Sequence, residues 1–204
     1  NSNNVTASGS KGISLSFSPF TNVTNNIISA LTGYRAHGLY IATSFYSIVT
    51  KNIISADSYY AVELWVSSNL TIFHNKVKSA LPTIRFIVSG NNTIHDNIFN
   101  TSASAIQGVA YNNLWNSSLH TGPNIVNGPY IGGNFYAKHD GTGYSEMCTD
   151  SNFNGICDVP LTHAPNNTDY LPLAKPPNIS ISNDVPVVLV HGYYGEPDST
   201  WATM

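Results

Sequence analysis

Between residues 150 and 158 the chain reads Asp150-Ser151-Asn152-Phe153-Asn154-Gly155-Ile156-Cys157-Asp158, with oxygen-bearing side chains at alternate positions ahead of a glycine. Alternation points successive oxygens at one centre, and glycine lets the chain turn sharply around it, which is what a hard cation such as calcium requires. The expected ligands are Asp150, Asn152, Asn154, the Ile156 carbonyl and Asp158. Two positions carry Asn in place of Asp, and Leu161 stands where a helix-loop-helix site has its bidentate Glu. The reduced ligand charge predicts a structural ion held at an extracellular-grade affinity, roughly 10⁻⁴–10⁻³ M. The alternative is an Asx-turn loop without metal. The two cysteines, Cys148 and Cys157, flank eight residues of the same segment. In an oxidising compartment they would close a short loop worth about 2–3 kcal/mol through loop-closure entropy.

Catalytic groups are scarcer. From residue 10 to residue 135 the acids are Asp57, Glu63 and Asp96, too scattered for the paired carboxylates of a glycosidase, roughly 5–10 Å apart. Tyr40, Tyr46, Tyr59, Tyr60 and Trp65 suit either stacking on sugar rings or packing against the chain itself. More abundant are Asn-X-Ser/Thr acceptors, which begin at Asn4, Asn22, Asn69, Asn91, Asn100, Asn116, Asn166 and Asn178. Eight in so small a chain favour a secreted, glycosylated protein whose glycans supply its hydration.

The composition agrees. The 204 residues carry 8 Lys+Arg against 11 Asp+Glu, and only 9% are charged. Phosphate-tracking surfaces need clustered cations, so nucleic acid is not an expected partner. An apolar fraction of 42% can build a core, and no run is long enough to span a membrane. The N-terminal residues do not read as a signal peptide, so an exported protein would already have lost one.

The elements that must carry these groups are repeats. Asn25-Asn26-Ile27-Ile28-Ser29-Ala30 returns as Lys51-Asn52-Ile53-Ile54-Ser55-Ala56, and more loosely around Asn75, Asn97 and Asn113. A second apolar run recurs as Leu39-Tyr40-Ile41, Leu64-Trp65-Val66 and Phe86-Ile87-Val88. Each unit of about 22 residues holds two or three short strands and cannot bury its own apolar face. Stacked coil on coil at about 4.8 Å, such units share one core, and Asn at an inward turn bonds its equivalents above and below. The predicted fold is all-β, a right-handed parallel β-helix of about five coils. An antiparallel sandwich would show turns every 8–12 residues or so and no self-similarity. Aligning Asn75 with Asn97 sets His74 over Asp96 and Phe73 over His95, so the two histidines do not pair as metal ligands.

Taken together, these repeats resemble the right-handed β-helix repeats of the periplasmic copper-binding-type and pectate-lyase-like proteins common among archaeal surface proteins. The resemblance covers roughly residues 10–135 and extends into the segment that follows. Gly132-Gly133-Asn134-Phe135-Tyr136, a Gly/Asp/Asn-rich loop and Asp169-Tyr170-Leu171-Pro172-Leu173 are similar to that family's solenoid ending. The likeness implies a helix over 1–135 and a cap over 136–175, with the candidate calcium loop inside the cap.

After Pro176-Pro177 the character changes. Val185-Pro186-Val187-Val188-Leu189-Val190-His191-Gly192 resembles the first core strand and oxyanion loop of an α/β-hydrolase lipase. Such a fold also needs a Gly-X-Ser-X-Gly elbow, and the nearest segment, Gly143-Tyr144-Ser145-Glu146-Met147, lacks the final glycine. Three readings of residues 176–204 stand. They begin a lipase domain of a longer protein, or they add a strand (Val185, Val187, Val188, Leu189, Val190) to a neighbouring copy, or they fold back on the solenoid. The expected function is therefore structural or adhesive work at a cell surface, as a subunit of an extracellular assembly or a partner of surface glycans. Its rivals are an accessory β-helix of a secreted esterase and a carbohydrate-binding or carbohydrate-cleaving solenoid.

Overall fold

The structure is a computed structural model and describes residues 3–176. Three short strands make a coil. The first holds β1 (Asn3–Ala7), β2 (Ile13–Ser16) and β3 (Asn22–Thr24), and the second β4 (Asn26–Ala30), β5 (Leu39–Ala42) and β6 (Ile48–Thr50). The third has β7 (Ile53–Ala56), β8 (Val62–Trp65) and β9 (Thr71–Phe73), and the fourth β10 (Lys76–Ser79), β11 (Ile84–Gly90) and β12 (Thr93–His95). A fifth coil supplies β13 (Ile98–Thr101) and β14 (Ile106–Tyr111). Beyond it come β15 (His120–Thr121), β16 (Tyr130–Ile131), β17 (Phe135–Ala137), helix α1 (Tyr144–Met147), β18 (Leu161–Ala164) and β19 (Asn167–Asp169).

Strands of successive coils pair in parallel to form three sheets, with orders β1-β4-β7-β10-β13-β17, β2-β5-β8-β11-β14 and β3-β6-β9-β12. The result is a parallel β-solenoid, all-β apart from the one-turn α1. Alternation along each strand sends apolar columns inward from every sheet. Ile28, Ile54, Val77, Phe99 and Tyr136 align in the first sheet, Ile41, Leu64 and Phe86 in the second, and Val23, Val49, Ile72 and Ile94 in the third. All are buried, and Trp115 closes the floor of the core with none of its surface exposed.

The corners explain the polar repeats. Asn25, Lys51, His74 and Asp96 all hold left-handed backbone, with φ from 52° to 60°. For non-glycine residues that conformation costs roughly 1–2 kcal/mol each, so something must offset it. The next residue in each coil does. The Nδ2 of Asn26 donates to Asn52 Oδ1, Asn52 to Asn75, Asn75 to Asn97 and Asn97 to Asn134, at 2.9–3.1 Å. The backbone N–H of each donates to the same acceptor.

Here one expectation is corrected. Asn113 does not continue this column; the member after Asn97 is Asn134, 37 residues on. Asn113 belongs to a second column at another corner, where it accepts from Asn92 Nδ2 at 3.0 Å. Both columns hold asparagine for the same reason, since one side-chain amide accepts from one coil and has two N–H donors for backbone carbonyls and the next coil.

Candidate functional site

The solenoid's C-terminal end is built by β19. Asn167 Oδ1 accepts from Asn113 Nδ2 (3.2 Å) and from the Trp115 indole N–H (3.1 Å), ending the second asparagine column. Two residues on, Asp169 ends the first: its Oδ2 accepts from Asn134 N–H (2.8 Å) and the Tyr136 hydroxyl (2.9 Å), and its Oδ1 from Leu171 N–H (3.0 Å). A side chain at Gly133 would strike the Asp169 carboxylate, so the Gly-Gly pair before Asn134 admits the acid. Burial pushes the Asp169 carboxyl up to about 7 despite these donors, and pushes the neighbouring Tyr136 hydroxyl well above its usual range. The His163 ring lies tilted between Trp115 and Tyr136, its centroid 4.8 Å from each, and burial lowers it to about 4. Sequence reasoning placed Asp169 in the solenoid-ending motif without its role at the end of the asparagine column, and did not single out His163. The signal was the spacing of Asn167 and Asp169, which suits alternate residues of one strand.

Within the cap, Cys148 and Cys157 form a disulfide with Cα atoms 5.6 Å apart. The segment between them is held by its own oxygens. Asp150 accepts from the N–H groups of Asn154 (3.0 Å) and Gly155 (2.8 Å), Asn152 from Asn154, Asn154 from Ile156, and Asp158 from Ser151. Gly155 takes φ +82°, the turn that Gly was expected to permit. Two carboxylates, two amides and a carbonyl are the oxygen-only donor set that calcium accepts, and each carboxylate keeps lone pairs beyond those N–H bonds.

The solenoid faces carry two polar clusters. On the second sheet, Glu63 is buried beneath Arg85 (3.1 Å), which also donates to the Tyr59 hydroxyl and lies 5.1 Å over Tyr60. Burial, then the nearby Lys11, Arg85 and Arg35, lower His37 to about 4, so its 3.8 Å approach to Glu63 is between a neutral ring and a carboxylate. Lys11 sits 3.3 Å over Tyr40. Of the aromatics singled out in the sequence, Tyr60 is buried, Tyr40 and Tyr59 are half-buried, and Trp65 and Tyr46 are exposed, Tyr46 stacked on exposed Phe20 at 5.4 Å.

At the corner of the first sheet, His74 Nδ1 lies 2.6 Å from buried Asp96, whose other oxygen accepts from Ile125 N–H at 2.8 Å. Burial raises the Asp96 carboxyl, opposed by Ile125 and His74. Phe73 stacks on His95 at 5.4 Å, in the register read from the sequence. The three acids Asp57, Glu63 and Asp96 stay apart: a coil turn, the second-sheet face and a corner.

Among the glycosylation acceptors, Asn4, Asn22, Asn69, Asn91 and Asn166 are exposed, whereas Asn100 and Asn116 are half-buried. Asn69 and Asn91 occupy equivalent left-handed corner positions in the third and fourth coils, Tyr46 holds that corner in the second, and Asn22 lies near it in the first, at the start of β3. Asn178 and the segment Val185, Val187, Val188, Leu189 and Val190 lie outside the described residues.

No curated protein and no solved structure matches the chain. One family model does: that of the periplasmic copper-binding protein NosD, over residues 1–141. The copper named in that description finds no fitting ligand set here. His74 is engaged by Asp96, His95 is stacked on Phe73, and no three His, Cys, Asp or Glu side chains gather among the described residues. The match spans more than two thirds of the sequence and covers the whole stack of coils: the chain belongs to the NosD family, and is an extracytoplasmic protein built on a parallel β-solenoid.

Proposed function

We propose that this protein is a glycosylated structural or adhesive component of a cell surface, with the solenoid serving as a rigid, glycan-coated stem. The observation that carries the reading is the placement of the acceptors. Five asparagines of Asn-X-Ser/Thr sites are exposed; Asn69 and Asn91 stand at one corner of the third and fourth coils, and Asn22 lies near the same corner of the first. Glycans at that corner would supply the hydration that a chain with 9% charged residues lacks. The faces favour binding over cleavage, because Glu63 and Asp96 are each engaged by a cationic or imidazole partner, Arg85 and His74, and Asp57 stands apart on a coil turn.

Calcium belongs to this reading as a cap ion. Asp150, Asn152, Asn154, the Ile156 carbonyl and Asp158 would hold it, and it would stiffen a loop already closed by the disulfide. Assembly through the C-terminal segment and recognition of surface glycans are the partnerships that fit. Intact mass of the protein from its native source tests the proposal. It should exceed 22.0 kDa by several glycans, and a bare mass would remove the argument.

A further inference from the structure

The corner that holds His74 also gathers uncompensated positive charge. Lys51 and His74 occupy the same left-handed position in consecutive coils, joined by the Lys51 N–H to His74 carbonyl bond at 3.1 Å. Lys76 follows two residues later on the outer face of β10, in register with Ile53. Both lysines are exposed, and neither enters an ion pair among the described residues. The one acid at the corner, Asp96, is buried and already bonded to His74 and to Ile125. In a chain of net charge −3, this is a local excess of cations.

These groups line a common cavity. Lys51, His74 and Lys76 face a groove of about 400 Å³ whose floor includes Ile53 and whose far wall is the 123–127 loop. The wall is braced. Asp96 holds Ile125, and Asn124 Oδ1 accepts from the N–H groups of Val126 (3.0 Å) and Gly128 (2.8 Å). The buried carboxylate thus fixes the His74 ring on one side of the groove and the loop on the other. With Nδ1 turned to Asp96, the imidazole keeps Nε2 for the groove. That nitrogen accepts from a hydroxyl when the ring is neutral and donates to an oxyanion when it is charged. Two ammonium groups beside such a ring match an anionic group carrying hydroxyls, and the apolar floor suits the C–H face of a ring.

We propose that this groove is an oxyanion-binding site, with Lys51 and Lys76 as the charged ligands and His74, positioned by Asp96, as the hydrogen-bonding one. The chemistry is that of a carboxylate or phosphate group next to a hydroxyl, borne by a free anion or by an acidic sugar of a glycan. The site stands on the corner geometry and does not depend on the chain's own glycans.

Titration of the whole protein with inorganic phosphate, and separately with a hyaluronate tetrasaccharide, tests this. The readouts are calorimetric Kd and the His74 ring resonances in NMR spectra. At least one probe should bind saturably and shift His74. The Lys51→Gln/Lys76→Gln variant, altered only at exposed side chains, should bind at least tenfold more weakly, while Lys78→Gln, one alternate position along β10, should not change. Phosphate binding alone supports a site for a free anion, and tighter tetrasaccharide binding supports an acidic glycan. Unsaturable binding, an unmoved His74, or equal affinity in the double variant would overturn the proposal.

Discussion

A buried amide does three jobs at once in this molecule. Asn75 accepts from Asn52 through both N–H and Nδ2, and donates to the Val49 and Phe73 carbonyls and to Asn97. Removing it strands donors and acceptors that no water reaches, each costing roughly 1–3 kcal/mol. Asn75→Ala should therefore destabilise the fold by about 3 kcal/mol or more in urea unfolding, whereas Ser14→Ala on the exposed face should stay within about 0.5 kcal/mol. Equal effects would contradict the column's role. The residue type was legible in the sequence because asparagine tolerates the corner and satisfies it. The membership of Asn113 was not, because two corners use the same amide chemistry and only the three-dimensional register separates them. Asp169 makes a second test. Its folded carboxyl stands at about 7 against an ordinary 3.8, so its contribution is greatest below the ordinary value and is lost as pH rises through about 7. Asp169→Asn keeps an acceptor for Asn134 and Tyr136 and removes the ionisation. The midpoint of wild type minus variant should accordingly fall between pH 4 and 7; a constant difference would contradict a buried, titrating acid.

The elements follow from alternation and corner chemistry, and the strands of the second and third sheets are short because a left-handed residue follows each of them. The apolar runs pointed to the second sheet, although its register aligns Leu64 and Phe86 with Ile41, the end of the first run, rather than with its start, Leu39. A two-residue slip of this kind leaves the buried face unchanged, so periodicity alone does not detect it. The cap was harder to read. Between Asn97 and Asn134 the chain leaves the regular coil, and the cap's hairpin of β18 and β19 has no counterpart among the repeats. Its staple is testable. Reducing the Cys148–Cys157 disulfide removes a cross-link worth about 2–3 kcal/mol and should lower Tm by roughly 5–10 °C. EDTA should lower it further if the Asp150–Asp158 loop holds calcium, with calcium restoring the loss. No change on reduction would contradict a stapled cap, and no change with EDTA would contradict the ion.

At the scale of the whole molecule, coils stacked in register give a rod with three faces. One presents the Glu63–Arg85 cluster, one the cationic groove, and an edge carries the glycan acceptors. Such a body is stiff because every coil is bonded to its neighbours through backbone and side chain alike. Its family membership and extracytoplasmic setting agree with a disulfide and with low charge. Site-resolved glycopeptide mapping of the native protein tests the surface-stem reading most directly. Glycans are expected at the exposed Asn22, Asn69 and Asn91 and at Asn4 and Asn166, with Asn116, whose Oδ1 accepts from Tyr170 N–H, left bare. Unmodified peptides at Asn22, Asn69 and Asn91 would contradict that reading.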